Sequence, residues 1–143
     1  VVVANNPSCL PRGLFDFSAS TAIHQKLHQE LAKVGGSIEA VFMCPHGPNE
    51  GCTCRKPLPG MYHEIGRRYD VDLAGVPCLG DSLRDLQAAH AAGCSPWLAL
   101  TGNGVKTRDQ GGLPPGTQIC NDLPAFVDML LANDGKTARN TGA

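Results

Sequence analysis

Four potential metal ligands lie within eleven residues of this chain and constrain its fold more than any other feature. Cys44, His46, Cys52 and Cys54 follow a C-x-H-x5-C-x-C pattern. Three thiolates and one imidazole complete a tetrahedral zinc shell, and the intervening glycines and prolines let a short loop bring its ends together. Because protein groups fill all four positions, the predicted zinc is structural. The alternative is a loop that holds reduced thiols without metal.

The cysteine count indicates a reducing compartment. The chain has seven cysteines in 143 residues, and an odd number without a secretory signal argues against a disulfide framework. A Cys52–Cys54 disulfide is disfavoured because a one-residue spacing strains the bond geometry. The four cysteines outside the cluster are predicted to be small buried apolar residues: Cys9, Cys78, Cys94 and Cys120.

Strand-type segments alternate with segments of helical spacing along the chain. This alternation is typical of an α/β fold, in which helices flank a parallel sheet. The glycine-rich segment from Gly102 to Gly116 is predicted to be a loop. The sequence predicts strands at residues 1–4, 38–43, 76–79, 97–100 and 118–120, and helices after Ser18 or Ser20, after Pro59, after Ser82, and after Asn121 or Asp122.

The two ends of the chain differ in character. Val1–Ala4 is an apolar, β-branched run typical of a buried central strand of a parallel sheet. A domain rarely starts with such a strand. We therefore expect an N-terminally truncated domain over residues 1–131. Residues 132–143 are small and polar, and they are predicted to form a disordered tail.

Charge and hydropathy argue against two classes of protein. Lys and Arg total 12 against 13 Asp and Glu, a net charge of −1, whereas nucleic-acid binders usually carry a basic excess. No apolar run approaches the roughly 18 residues of a membrane span, and no signal peptide opens the chain. We expect a cytoplasmic monomer without nucleic-acid or membrane partners.

Polar side chains follow the predicted strands, where open parallel sheets bind their ligands. Asn5-Asn6 follow the first strand, Asp81 the third and Thr101–Asn103 the fourth. Arg55 and Lys56 come directly after the last predicted zinc ligand, so the metal would fix both cations. A carboxylate that faces a lysine and an arginine above a parallel sheet indicates phosphate chemistry with a divalent cation.

Simpler roles remain open for the same residues. Arg55 and Lys56 would be solvated surface charges if this loop bound no ligand. Asp81 would only mark the entry to a helix, although Ser82, followed by Asp85 three residues later, offers the better N-cap.

Five motifs resemble the haloacid-dehalogenase-type (HAD) phosphatases: Val1–Asn6, Arg12–Phe15, Cys44–His46, Cys52–Pro57 and Gly80–Asp85. Within that superfamily the chain is most similar to the D-glycero-D-manno-heptose-1,7-bisphosphate 7-phosphatases and the allied histidinol-phosphatases. The zinc loop joined to Arg-Lys-Pro is highly specific to this branch. The resemblance implies a HAD-like, Rossmann-type parallel sheet and a phosphoric monoester hydrolase. Its reaction would be magnesium-dependent removal of the 7-phosphate from the heptose bisphosphate, a precursor of ADP-heptose and the lipopolysaccharide core.

The resemblance also implies roles for individual residues. In the family an aspartate attacks the phosphoryl group to form an aspartyl-phosphate, and a second aspartate two residues later acts as acid and base. Lys56 and Asn5 would stabilise the transferring phosphoryl group, Asp81 would bind Mg²⁺ with support from Asp85, and Arg55 would recognise the substrate. The implied substrate-binding residues are Asn5, Asn6, Pro7, Ser8, Arg55, Lys56 and Ser82.

Two departures from the family pattern bear on activity. The family's nucleophile and acid lie on a strand that precedes Val1, so the first catalytic strand is missing, and we expect this chain to be inactive alone. Asp70-Val71-Asp72 has the D-x-D shape but lies in a helix-to-strand connection. Asn5–Cys9 replaces the family's Thr/Ser-Asn-Gln-Ser-Gly, and Pro7 removes a backbone donor.

Three other functions remain open. A histidinol-phosphatase shares the same metal loop, and a catalytically inactive, zinc-stabilised relative would fit the changes at Asn5–Cys9. A zinc-stabilised interaction or nucleic-acid module would need a basic cluster beside the zinc loop. The nearby cations are Arg55, Lys56, Arg67 and Arg68, and they are interspersed with acidic residues.

Overall fold

Parallel strands and helices alternate in the computed structural model, which describes residues 1–7, 17–47 and 49–140. The predicted α/β class, with parallel strands and flanking helices, is confirmed. None of the described helices has both the length and the apolar character that a membrane span requires. In chain order the elements are β1 (Val2–Asn5), α1 (Phe17–Ala32), β2 (Ala40–Met43), α2 (Gly60–Tyr69), β3 (Pro77–Gly80), α3 (Leu83–Ala91), β4 (Ser95–Ala99), α4 (Gly104–Gln110), β5 (Gln118–Cys120) and α5 (Leu123–Asn140).

The strands form two parallel sheets rather than the single sheet that the sequence predicted. β1 pairs with β2, with Val3 opposite Val41, and the second sheet has the order β3-β4-β5. The chain correspondingly separates into two compact units, Val1–Val71 and Asp72–Ala143, and the expected domain boundaries at residues 1 and 131 stay a prediction. Pairing among the described strands stays within each unit, which is why two sheets result.

An apolar cluster of the described residues, formed by Trp97, Ala99, Cys120 and Phe126, lies in the second unit. The rings of Trp97 and Phe126 meet edge to face, with their centroids 5.3 Å apart and their planes at 70°. Leu86 on α3 and Leu98 on β4 are fully buried. Aromatic and branched side chains contribute most of the burial free energy of a small core, so the cluster around Trp97 and Phe126 packs α5 against the sheet of this unit.

Three of the predicted helix starts are confirmed, and one of them is α2, which begins at Gly60 directly after Pro59. Ser82 precedes α3 and forms a capping box with Asp85. Asp122 precedes α5, and its Oδ1 accepts a hydrogen bond from the backbone N–H of Ala125 at 2.8 Å. The first helix differs, because α1 begins at Phe17 and Ser20 lies inside it. The buried Ser20 hydroxyl donates to Met43 Sδ at 3.4 Å instead of capping the helix.

Two segments differ from the sequence prediction. The glycine-rich segment predicted as a loop contains α4, which begins at Gly104. A Cβ atom at Gly104 would lie 1.7 Å from the Ala99 carbonyl oxygen, so glycine lets this helix start directly against the end of β4. The tail predicted to be disordered from residue 132 is helical through Asn140, since its polar residues extend a helix that is already nucleated. Residues 141–143 lie outside the described part.

Candidate functional site

The four predicted zinc ligands converge in the loop after β2. Their ligand atoms all lie within 4.8 Å of one another. Cys44 Sγ is 3.6 Å from Cys52 Sγ, 3.1 Å from Cys54 Sγ and 3.7 Å from His46 Nδ1, and His46 Nδ1 is 3.3 Å from Cys54 Sγ. Zinc–sulfur bonds of about 2.3 Å give tetrahedral edges of about 3.8 Å. The donor set and its spacing therefore fit one zinc ion.

The pKa values of the clustered thiols reflect how closely they lie together. Desolvation, followed by hydrogen bonds and charge repulsion from the thiols of Cys44 and Cys52, raises the pKa of Cys54 to about 12. Desolvation also acts to raise the pKa of Cys52, but hydrogen bonds with the Arg55 backbone and with the neighbouring thiols outweigh it and lower that pKa. Three thiolates repel one another without a metal, and a bound divalent cation removes that repulsion.

The metal loop is held by backbone contacts at both of its ends. The backbone N–H of Cys44 donates to the Asn5 carbonyl at 3.1 Å, and that of Gly60 donates to the Thr53 carbonyl at 3.0 Å. A Cβ atom at Gly60 would lie 2.2 Å from the same Thr53 oxygen. Only glycine lets the start of α2 approach the loop this closely.

Arg55 and Lys56 are buried, so they are not solvated surface charges. Arg55 is 7% exposed and Lys56 is 8% exposed. One Arg55 guanidinium nitrogen donates to the His46 carbonyl at 3.0 Å, which ties this cation to the backbone of a zinc ligand. That bound metal fixes the position of Arg55 stays a prediction, and this contact supports it.

Lys56 lies at the carboxyl end of β1, where the sequence had placed only Asn5 and Asn6. Its Nζ donates to the Ala4 carbonyl at 2.9 Å. The side chain of Asn6 bonds the Lys56 backbone twice: Nδ2 donates to the carbonyl at 3.2 Å, and Oδ1 accepts from the N–H at 3.3 Å. Asn5 ends β1 and Pro7 is half-buried beyond it. Ser8 and the motif at residues 12–15 lie outside the described residues.

Asp81 follows β3 and contacts the loop after β4. Its Oδ2 accepts hydrogen bonds from the Asn103 backbone N–H at 2.8 Å and from Asn103 Nδ2 at 3.2 Å. A Cβ atom at Gly102 would lie 2.4 Å from that same oxygen. Thr107 Oγ1 donates to the Asp81 carbonyl at 2.8 Å. The carboxylate is therefore bound to the next loop and is more than a helix-entry residue.

Ser82 and Asp85 interact directly beside Asp81. The backbone N–H and the hydroxyl of Ser82 both donate to Asp85 Oδ2, at 3.1 and 2.8 Å. This pair caps α3 and fixes the backbone that follows Asp81. Substrate binding by Ser82 stays a prediction.

The D-x-D at the end of α2 has a structural role in the chain. Asp70 is the C-cap, with a left-handed φ of 50°. The Asp72 carboxylate accepts a hydrogen bond from the Ala74 N–H at 2.9 Å, and both aspartates are exposed. These contacts agree with the sequence argument against a catalytic pair at this position.

Two contacts at the site were not foreseen from the sequence. Asn6 was predicted to touch phosphate, but both polar atoms of its side chain bond the Lys56 backbone. Thr107 was not singled out, because its helix lies in a segment predicted to be a loop. The only sequence signal for this contact was a threonine a few residues after a predicted strand end, where its hydroxyl could reach the neighbouring strand end.

Known proteins match the chain along most of its length. A family model described as HAD-hydrolase-like matches residues 53–126. Over 131 residues the chain is 66% identical to a D-glycero-beta-D-manno-heptose-1,7-bisphosphate 7-phosphatase of Bordetella bronchiseptica. It is 47% identical to the protein of that name from Pseudomonas aeruginosa. Each alignment covers 92% of this chain and 73% of the relative.

Solved structures agree with the sequence matches. The crystal structure of D,D-heptose 1,7-bisphosphate phosphatase from B. bronchiseptica, complexed with magnesium and phosphate, has a TM-score of 0.91 at 65% identity, and the match covers 93% of this chain and 74% of that one. The phosphatase of the same name from Burkholderia thailandensis has a TM-score of 0.71 at 46% identity, covering 91% and 74%. On the strength of its motifs, its family match and these relatives, the chain belongs to the HAD phosphatases.

Proposed function

We propose that this protein is a magnesium-dependent phosphatase that removes the 7-phosphate of D-glycero-D-manno-heptose 1,7-bisphosphate. The substrate is that of its relatives, which are heptose-1,7-bisphosphate 7-phosphatases. The observation that carries the proposal is the buried Lys56, whose ammonium lies against the Ala4 carbonyl at the carboxyl end of β1. An anion bound beside a buried cation gains more electrostatic stabilisation than it would in water.

Lys56 and Arg55 supply positive charge in this proposal. Phosphoryl transfer is accelerated mainly by positioning and by neutralising charge on the equatorial oxygens. Lys56 would stabilise that charge, together with Asn5 at the end of the same strand. Arg55 presents a planar set of donors that suits a second phosphate or the sugar hydroxyls, and its bond to the His46 carbonyl holds it in place.

Asp81 is the proposed magnesium ligand in this chain. Mg²⁺ prefers carboxylate oxygens, and the bonds from Asn103 fix the orientation of the Asp81 carboxylate. These residues fit the cation that accompanies phosphate in the B. bronchiseptica structure. When bound, magnesium would add positive charge at the phosphate oxygens.

Zinc has a different task in the proposal. Cys44, His46, Cys52 and Cys54 fit a closed tetrahedral shell, so this metal would hold the loop that ends in Arg55 and Lys56. Zinc in such a closed shell would take no part in phosphoryl transfer.

The residues assigned here provide charge and recognition, but none is an in-line nucleophile. Asp70 and Asp72 serve a helix end and a turn, so we place the attacking aspartate outside these residues. We expect the 143-residue chain by itself to release no phosphate. We further propose that the protein acts in the cytoplasm as a monomer without nucleic-acid partners, in keeping with its net charge of −1.

Phosphate release by the full-length protein tests this function. Heptose bisphosphate and histidinol phosphate are compared with and without Mg²⁺, and ³¹P NMR identifies which phosphate of the bisphosphate is lost. We expect magnesium-dependent loss of the 7-phosphate, with histidinol phosphate much slower. Lys56→Ala should lower kcat/KM about 10²- to 10³-fold, while the exposed Lys26→Ala should not. Faster hydrolysis of histidinol phosphate would contradict the substrate assignment.

A further inference from the structure

The Asn6 side chain forms hydrogen bonds to another backbone segment just past the point where β1 stops pairing with β2. The last backbone bond between these segments runs from the Cys44 N–H to the Asn5 carbonyl at 3.1 Å. The next residue, Asn6, bonds the backbone of Lys56, fifty positions away, through both polar atoms of its amide. The asparagine amide presents an acceptor oxygen and an N–H donor side by side, so it can bond the N–H and the C=O of one residue at the same time. The Asn6 side chain therefore ties the end of β1 to the backbone of Lys56.

These bonds hold the metal loop at both ends. Cys44, the first residue of the loop, is tied to Asn5, and Lys56, just past its last ligand, is tied to Asn6. The Lys56 ammonium is in turn bonded to the Ala4 carbonyl at 2.9 Å. The backbone of Lys56 is thus fixed against Asn6 and its ammonium against Ala4, both at the same strand end.

We propose that Asn6 is a positioning residue, which acts on the phosphoryl group only through Lys56 rather than by touching the phosphate. The inference deepens the proposed function and rests on it, because it takes Lys56 as the group that neutralises phosphate charge. Its basis is the pair of hydrogen bonds that joins the Asn6 side chain to the Lys56 backbone, together with the burial of Lys56.

The chemistry of the amide explains why asparagine suits this position. An aspartate keeps the acceptor for the Lys56 N–H but loses the donor, and it sets a negative oxygen against the Lys56 carbonyl. Alanine loses both bonds. A buried backbone group that loses its partner is destabilised, so the segment around Lys56 would shift or loosen in Asn6→Ala.

We call the two hydrogen bonds from the Asn6 side chain to the Lys56 backbone the clamp. Hydrogen exchange of the full-length protein tests the clamp independently of enzymatic activity. In Asn6→Ala the Lys56 backbone amide should exchange about tenfold or more faster than in the wild type, whereas in Asn6→Asp that amide should stay protected. The matched control is Asn49→Asp, which changes an exposed asparagine of the metal loop and should leave the Lys56 amide unchanged. Unaltered exchange in Asn6→Ala would overturn the proposal.

A double-mutant cycle tests whether Asn6 acts through Lys56. Asn6→Ala should lower kcat/KM about tenfold or more in the wild-type background, mostly through kcat. In a Lys56→Ala background the same change should lower kcat less than about twofold, because the group that it positions is gone. Additive losses would mean that Asn6 contacts the substrate directly and would overturn the proposal.

The two tests separate the clamp from the function. If the full-length protein hydrolyses neither substrate while Asn6→Ala still exposes the Lys56 amide, the proposed function fails and the clamp stands. If hydrolysis proceeds as proposed and Asn6→Ala leaves the exchange rate of the Lys56 amide unchanged, the clamp is refuted and the proposed function stands.

Discussion

The unit Val1–Val71 holds its functional residues mainly with polar contacts, whereas the unit Asp72–Ala143 holds them on an apolar core. Among the described residues, the buried apolar side chains of the first unit are Cys44, Met61 and Tyr62, and Cys44 is also a candidate metal ligand. The second unit contributes the other nine, and Trp97, Ala99, Cys120 and Phe126 form one cluster among them. We therefore expect the described part of the first unit to depend more on other sources of stability.

This difference bears on the two halves of the proposed phosphate chemistry. Lys56 and Arg55 are fixed by a metal loop and by hydrogen bonds to Ala4, Asn6 and His46. Asp81 lies between a strand and a capped helix that pack on a core. We therefore expect the position of Lys56 to depend on zinc and that of Asp81 to be independent of it.

The largest expected effect comes from removing a zinc ligand. Structural zinc contributes on the order of 10 kcal/mol in small metal sites, so Cys54→Ser should lose bound metal and unfold the loop around Lys56. Cys78→Ser, which changes a cysteine outside the cluster, should keep about one equivalent of zinc. Metal analysis and thermal unfolding of both variants measure this. Equal zinc content in the two variants would contradict the assigned ligands.

A core substitution in the second unit should lower the stability of the protein without lowering its zinc content. Leu98 is fully buried on β4, and Leu98→Ala should destabilise the protein by about 2–5 kcal/mol through lost contacts and a cavity. We expect its zinc content to stay at the wild-type level, because the metal loop belongs to the other unit. Denaturant unfolding with metal analysis measures both quantities, and loss of zinc in this variant would contradict the separation.

A smaller effect is expected where α2 meets the metal loop. Gly60→Ala places a Cβ atom 2.2 Å from the Thr53 carbonyl oxygen, so the backbone beside Cys54 must move, at a cost of about 1–3 kcal/mol. Zinc affinity, measured by competition with a chelator, should fall. Gly36→Ala is the matched control, because its nearest contact would be an ordinary 3.4 Å from the Leu31 side chain. Equal affinities in the two variants would refute the role given to Gly60.

The smallest effect is expected at Asp81. Asn103→Ala removes the side-chain bond to Asp81 Oδ2 and keeps the backbone bond, so the loss should be about 1 kcal/mol. We expect Mg²⁺ affinity, measured by the magnesium dependence of phosphate release, to weaken by less than about tenfold. Zinc content should not change. A total loss of magnesium dependence would mean that the Asn103 side chain itself holds the metal.

The parts of the site that depend on short-range sequence signals were predictable. The spacing of Cys44, His46, Cys52 and Cys54 defines a metal site almost by itself, and Ser82 with Asp85 defines a helix cap. The strand-end argument placed Asn5 and Asn6 at the end of β1, but it did not foresee that Lys56 would also lie there.

Long-range and backbone-level features were not predictable. An asparagine after a strand carries no sign that its amide will bond a backbone fifty residues away, so Asn6 was assigned to phosphate. Glycines around α4 indicated a loop, but Gly104 is there to let the helix start against Ala99. Such close approaches depend on packing in three dimensions, which residue propensities do not encode.

Hydrogen–deuterium exchange of the full-length protein, with zinc bound and after removal of zinc by a chelator, tests the central claim most directly. The account predicts that peptides covering residues 44–60 lose protection when zinc is removed, while peptides covering residues 77–99 exchange as before. If both regions kept their protection, or lost it together, the claim that zinc positions Lys56 independently of Asp81 would be contradicted.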